Sequence, residues 1–198
     1  NNTVNKYNDI IRGIIYKDEP HLNDIMKGEK LLMDKPYILN ARSILTRNEE
    51  IEVKNVVTCM KQLSYLNSLS IPSSINVKFY NIGVEWYTDK GTKHGNILVV
   101  HEDSKTLYLD TLESLKKYAL SAPPTLKGKM WKQYYGMIEQ SAWVKYNYAI
   151  TAHCSQGSTY DNAMVLKWDI DANYTIEERN RILYVACTRA RNTLFIET

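Results

Sequence analysis

The sequence predicts an α/β protein whose parallel-sheet domain is interrupted by a β-rich insertion. Two observations predict it. From Tyr146 the chain runs strand, polar loop, strand, amphipathic helix, strand, with apolar strands of the kind that parallel sheets bury. The middle of the chain instead reads as short strands parted by turn residues. The expected organisation is one α/β domain formed by residues 1–26 and 145–198, with the insertion over 27–144.

The elements follow in order. Residues 3–16 carry apolar or aromatic groups at Val4, Tyr7, Ile10, Ile11, Ile14 and Ile15, which is helical spacing, with Asn2 or Thr3 as cap and Pro20 as terminator. GEKLLMDKPYI, EEIEVKNVVTCM, INVKFYNIGVEWYT and GNILVVHED read as strands of a small antiparallel barrel, with TDKGTKHGN (88–96) as a hairpin loop. Residues 103–120 and 128–144 favour helices, the second aromatic on one side and basic on the other; its expected role, over 130–143, is to brace the insertion against the α/β domain. YNYAITA then reads as a buried strand, NAMVLKW as another, and TLFIE as the last. Between these, TIEERNRILYVACTRA is an amphipathic helix with Thr175 as cap and Glu178 completing a capping box.

Composition sets bounds. A chain of 198 residues with 44% hydrophobic residues can bury a core. A net charge of +3 permits nucleic acid as a partner without arguing for it. The chain holds 15 Tyr, which suit half-buried strands and also stack on bases. Its three cysteines, Cys59, Cys154 and Cys187, show no zinc spacing and fit a reducing compartment. No run approaches the ~18 apolar residues of a membrane span, and no signal peptide opens the chain. It starts without Met, as a piece of something longer would.

Two polar constellations carry the chemistry. The first is TAHCSQGSTY (151–160), between two apolar strands. In a parallel sheet, ligands bind beyond the carboxyl ends of the strands, where such a loop would lie. Gly157 would let the backbone approach a ligand, Ser155, Ser158 and Thr159 supply hydroxyls, and Thr151 and His153 would share one strand face. By itself this is a phosphate- or sugar-binding loop, or a polar turn with a satisfied histidine. The second is YVACTRARN (184–192), where Arg189 and Arg191 end a helix; they either serve the helix dipole or reach a phosphate.

Together these stretches resemble a known family. AITAHCSQGSTYD looks like motif V, and LYVACTRARNTLFI like motif VI, of superfamily 1 helicases; TVNKYNDIIR resembles the motif IV helix that starts their second RecA-like domain. The insertion resembles the SH3-like insertion of the RecD-like branch, superfamily 1B, above all of phage Dda-type DNA helicases. The resemblance implies a RecA-like domain 2A over 1–26 and 145–198 and an SH3-like 2B insertion over 27–144. It implies that Arg189 is the catalytic arginine that contacts the γ-phosphate of ATP. Gln156, Gly157, Ser158 and Thr159 would face the nucleotide, and Thr151 and His153 would hold single-stranded DNA. Tyr184 matches an aromatic position that serves packing. Two departures stand out: many relatives carry Glu at the position of Thr159, and most carry Lys or Arg at that of Cys154.

No Gly starts the G-x-x-x-x-G-K-[ST] phosphate loop, and Asp18-Glu19 follows a helix rather than the buried strand of an acidic magnesium motif. Taken with the resemblance, this implies the C-terminal half of an ATP-dependent helicase, inactive by itself, with DNA as substrate and 5′-to-3′ polarity by family analogy alone. Its cofactor would be ATP with Mg2+, the metal held mainly by the N-terminal RecA-like domain of the same polypeptide. No metal site of its own and no membrane association are expected. Replication or repair proteins are further partners by analogy, and a bacterial or phage-infected cytoplasm is the compartment by analogy. The alternatives are a nucleic-acid-binding module that kept the fold without the motor, a protein-interaction module, and an ordinary α/β domain. The hairpin residues Trp86, Tyr87, Lys93 and His94 are a further candidate DNA contact.

Overall fold

A computed structural model describes residues 2–19, 25–40, 43–66 and 72–198. Its elements in chain order are α1 (Asn2–Ile15), β1 (Lys30–Met33), β2 (Tyr37–Asn40), β3 (Ser43–Leu45), β4 (Glu50–Leu66), β5 (Pro72–Thr88), β6 (Gly91–Val100), α2 (Glu102–Ser121), α3 (Pro124–Ile138), β7 (Val144–Tyr146), β8 (Tyr160–Leu166), α4 (Lys167–Asp171), α5 (Ile176–Cys187) and β9 (Ala190–Glu197). The chain forms two compact units, Asn1–Lys17 with Asn147–Thr198, and Asp18–Tyr146.

The Asp18–Tyr146 unit is built on an antiparallel sheet of order β6-β5-β4-β1-β7. The sheet curls, and the Ala142 amide donates to the Leu98 carbonyl at 2.6 Å, so the approach to β7 meets β6. Its core holds Leu31, Met33, Ile51, Val53, Ile82 and Trp86. The glycine at 83 is required by crowding: its amide donates to Asn55 Oδ1 at 2.8 Å, and a Cβ there would collide with that same oxygen. The turn between β5 and β6 is tighter than the expected loop 88–96. Thr88 pairs with Gly91, which takes φ +105°, and Gly95 is an ordinary strand residue opposite Val84.

β4 and β5 are 17 residues each, and β6 pairs only with the stretch from Phe79 to Thr88. The rest of the pair is a ribbon, from Met60 opposite Lys78 to Leu66 opposite Pro72. A two-stranded ribbon is marginal in water without an apolar cover. Here α2 and α3 supply it through a second core of Leu63, Val77, Phe79, Tyr108, Leu115 and Met137. Tyr108 donates its hydroxyl to the Met137 carbonyl, and burial pushes its phenol pKa up. The end of the ribbon is pinned by one side chain: Gln133 of α3 accepts from the Leu66 amide and donates to the Leu66 carbonyl, both at 2.8 Å. The bracing expected of the second helix is thus exerted on the ribbon. That helix runs over 124–138 rather than 128–144, because Pro124 starts it and the chain leaves it at Glu139 to reach β7.

In the other unit β8 and β9 pair in parallel, from Tyr160 opposite Ala190 to Leu166 opposite Glu197. Among the described residues parallel pairing is confined to these strands; the larger sheet is antiparallel throughout. The expected strand YNYAITA does not form, and the chain bends from Asn147 and turns from Ala152 to Gly157. The expected strand NAMVLKW stops at Leu166, where the short helix α4 begins. Thr175 is the N-cap of α5, but its side chain makes no capping bond; Glu178 pairs with Arg181 at 3.2 Å instead of reaching back. Thr3 is no cap either. It lies inside α1 and donates to Asp169 Oδ1 at 2.9 Å. The terminator Pro20 lies outside the described residues.

Gln133→Ala removes both bonds that pin the ribbon. The expected loss is about 1–2 kcal/mol of unfolding free energy, with faster amide exchange at Leu66. Denaturant melts and exchange measurements check both.

Candidate functional site

The site begins with a helix that buries two of its polar residues. In α1, Asn8 and Arg12 are 4% and 5% exposed, whereas Ile10, Ile14 and Ile15 stand in solvent. Asn8 has a specific task. Its Oδ1 accepts the amides of Tyr148 and Ala149 at 3.0 and 2.9 Å, and its Nδ2 donates to the Ala149 carbonyl at 2.9 Å. One amide side chain thus does for Tyr148 and Ala149 what a neighbouring strand would do.

Beyond Ile150 the chain winds through successive turns. The Thr151 carbonyl accepts from the Ser155 amide at 3.1 Å, and Thr151 Oγ1 from the Cys154 amide at 3.3 Å. Ser155, 6% exposed, donates to the Ala152 carbonyl at 2.7 Å. The winding stops at Gly157, whose φ of +88° a side chain would resist. Thr151 and His153 therefore do not share a strand face: Thr151 is half-buried in the turn and His153 is exposed. Gln156, Gly157, Ser158 and Thr159 are all exposed on the rising side of the loop.

Arg189 joins this loop to the end of α5. Its guanidinium donates to the carbonyls of Ser158 at 3.2 Å and Val185 at 3.0 Å, and to Thr188 Oγ1 at 2.9 Å. The Tyr160 amide in turn donates to the Arg189 carbonyl at 2.9 Å. The two polar stretches therefore meet, although Arg189 and Ser158 are 31 residues apart. The fixed fork of a guanidinium suits this bridging. Arg191 does not join in; it forms an exposed pair with Asp161 at 3.4 Å. Tyr184, expected to pack, is 70% exposed.

Beneath the loop lies a cavity of about 630 Å³, lined among others by Tyr7, Ala149, Thr151, His153, Val165 and Arg189. Thr151, His153 and Arg189 border it, whereas Gln156 to Thr159 do not. The candidate residues thus fall into two groups, one on the cavity and one on the outer loop, with Arg189 touching both. Among the described residues no cluster of His, Cys, Asp or Glu could hold a metal, and no helix is long and apolar enough to cross a membrane. In the other unit, Trp86 is 2% exposed in the core and unavailable to DNA, while Tyr87 is 71% exposed.

One comparison falls on this same region. Residues 146–196 match the UvrD-like helicase C-terminal domain, a span that contains the loop, Arg189 and the β8–β9 pair. An uncharacterized protein of Acanthamoeba polyphaga mimivirus is 26% identical over an alignment that covers 98% of this chain and 45% of that protein. The chain thus spans less than half the length of the curated relative it matches.

Asn8 was missed by sequence reasoning, although a polar residue one turn from Val4 and next to Tyr7, inside an apolar helical pattern, was the available signal. Asn8→Ala leaves the Tyr148 and Ala149 amides without their partner. The expected cost is about 2–4 kcal/mol. Asn8→Asp keeps the acceptor but sets a buried carboxylate oxygen against the Ala149 carbonyl, and should cost as much or more. Thermal and denaturant unfolding of the two variants checks the order.

Proposed function

We propose that this chain is the C-terminal motor half of an ATP-dependent DNA helicase of superfamily 1B, RecD-like and Dda-type, translocating 5′ to 3′. In this reading Asn1–Lys17 with Asn147–Thr198 is a RecA-like domain 2A, and Asp18–Tyr146 is an SH3-like 2B insertion. The observation that carries the reading is the Arg189 bridge to Ser158 within the segment that matches a helicase C-terminal domain. It makes the end of α5 and the loop 156–159 one mechanical piece.

Arg189 is the arginine finger in this reading. When an N-terminal RecA-like domain presents ATP with Mg2+, the guanidinium stabilises charge developing on the transferred phosphoryl group, an effect of about 10³–10⁵ in rate. Gln156, Gly157, Ser158 and Thr159 meet the nucleotide, Gly157 keeping the backbone open to close approach. Thr151 and His153 hold single-stranded DNA. Loop and arginine move together, so closing on ATP shifts the DNA grip. Large apolar residues left exposed in this unit, among them Met164, Ile176 and Phe195, support packing against the N-terminal domain of the same polypeptide. Replication or repair proteins are the further partners, and a bacterial or phage-infected cytoplasm is the compartment.

One observation favours a second reading, a non-catalytic nucleic-acid-binding or protein-interaction module. Three oxygens of its own chain already engage the Arg189 guanidinium, as they would a purely structural arginine. ATPase assays of the longer protein with and without single-stranded DNA decide between them. The motor reading predicts DNA-stimulated hydrolysis that Arg189→Ala lowers by about 10³-fold or more while ATP binding persists. Absent hydrolysis, or an unchanged rate in a folded Arg189→Ala variant, overturns it.

A further inference from the structure

The outer face of α3 has no role in the site described above, and its composition is unusual for a bracing helix. Met130, Tyr134 and Met137 turn inward, Met137 and Tyr134 against the ribbon core. At about 100° per residue, Tyr135 and Lys132 then fall at the centre of the opposite face, with Lys129 and Trp131 on its two flanks; Lys127 lies one turn before Trp131, beyond that flank and toward the inward side. The three lysines are exposed, and Tyr135 is 54% exposed.

The rings are organised. Trp131 and Tyr135 stack at 5.7 Å with an interplanar angle of 27°, and Tyr134 meets both edge-on at 5.5 and 5.2 Å. Tyr134 is anchored in the ribbon core, so the outer pair rests on a fixed support. An i,i+4 aromatic pair can serve helix stability alone. The lysines cannot be explained that way. None has a carboxylate partner among the described residues, and α3 has no acidic residue in its first turn. Lys127 sits at the end of the first turn of the helix, where the macrodipole disfavours a cation. The helix therefore carries this charge at a cost to itself.

Unpaired cations beside a preset, half-open aromatic stack match one ligand chemistry well. Lysines follow a phosphate backbone, and the free face of Tyr135 takes a base whatever its identity. We propose that the outer face of α3 is a sequence-tolerant platform for single-stranded nucleic acid, with Lys127, Lys129 and Lys132 on the backbone and Tyr135 and Trp131 under the bases. The platform needs no nucleotide and is separate from the DNA grip assigned to Thr151 and His153.

Fluorescence anisotropy of labelled oligothymidylate with the 198-residue chain tests it. Lys127→Ala/Lys129→Ala/Lys132→Ala should weaken binding about 10-fold or more at low salt and flatten the log–log salt slope by about 2. A matched triple variant at the exposed Lys6, Lys17 and Lys90 should change both far less. Tyr135→Ala should weaken single-strand binding about 5-fold or more and leave duplex binding unaltered, and Tyr135→Phe should retain affinity. Equal losses in the two lysine variants, or an unaffected Tyr135→Ala, overturn the platform. Hydrolysis by the longer protein and its loss in Arg189→Ala report on the motor reading separately.

Discussion

The far side of the polar loop is tied to the end of α5 by one side chain. Arg189 holds the Ser158 carbonyl, the Val185 carbonyl and the Thr188 hydroxyl at once, while its own carbonyl receives the Tyr160 amide. Without it, the loop after Gly157 would be tied to α5 by little more than the start of the β8–β9 pair. Backbone carbonyls at a helix end and in a loop are left-over acceptors, and a guanidinium satisfies several at once with fixed geometry. The same geometry leaves some of the five N–H groups of the fork for a ligand. A structural and a chemical role for this arginine are compatible.

The loop stands on a second, quieter support. Asn8 replaces a missing strand for Tyr148 and Ala149, so the entry to the loop is positioned by α1 rather than by a sheet. Thr151 then starts the turn, and the buried Ser155 hydroxyl keeps it wound. Exposed groups from Gln156 to Thr159 are thereby displayed on a frame made by Asn8, Thr151 and Ser155.

What was legible in the sequence follows the physics of each element. Periodicity found α1, α2, α5 and the long strands because 3.6-residue and 2-residue patterns report which side a residue turns. It misjudged α1 in detail, because a pattern of isoleucines cannot reveal that Asn8 has three partners that outweigh burying Ile14. YNYAITA read as a strand because its residues suit one, but strands need a neighbour, and the neighbour here is a side chain. Thr175 and Glu178 have the spacing of a capping box, yet Arg181 competes for Glu178. Of the candidate site, the loop and Arg189 were legible as types and order, since residue chemistry and spacing lie in the sequence. Their meeting at Ser158, and the division of the candidates between cavity and outer loop, arise from tertiary contacts that spacing does not encode.

In the proposed motor, the loop and Arg189 form one wall of a nucleotide cleft. Hydrogen exchange of the longer protein, with and without a non-hydrolysable ATP analogue, tests it most directly. The account predicts slower exchange from Gln156 to Tyr160 and across the Thr188–Arg189 turn on nucleotide binding. Bound nucleotide that leaves both stretches unaltered would contradict it.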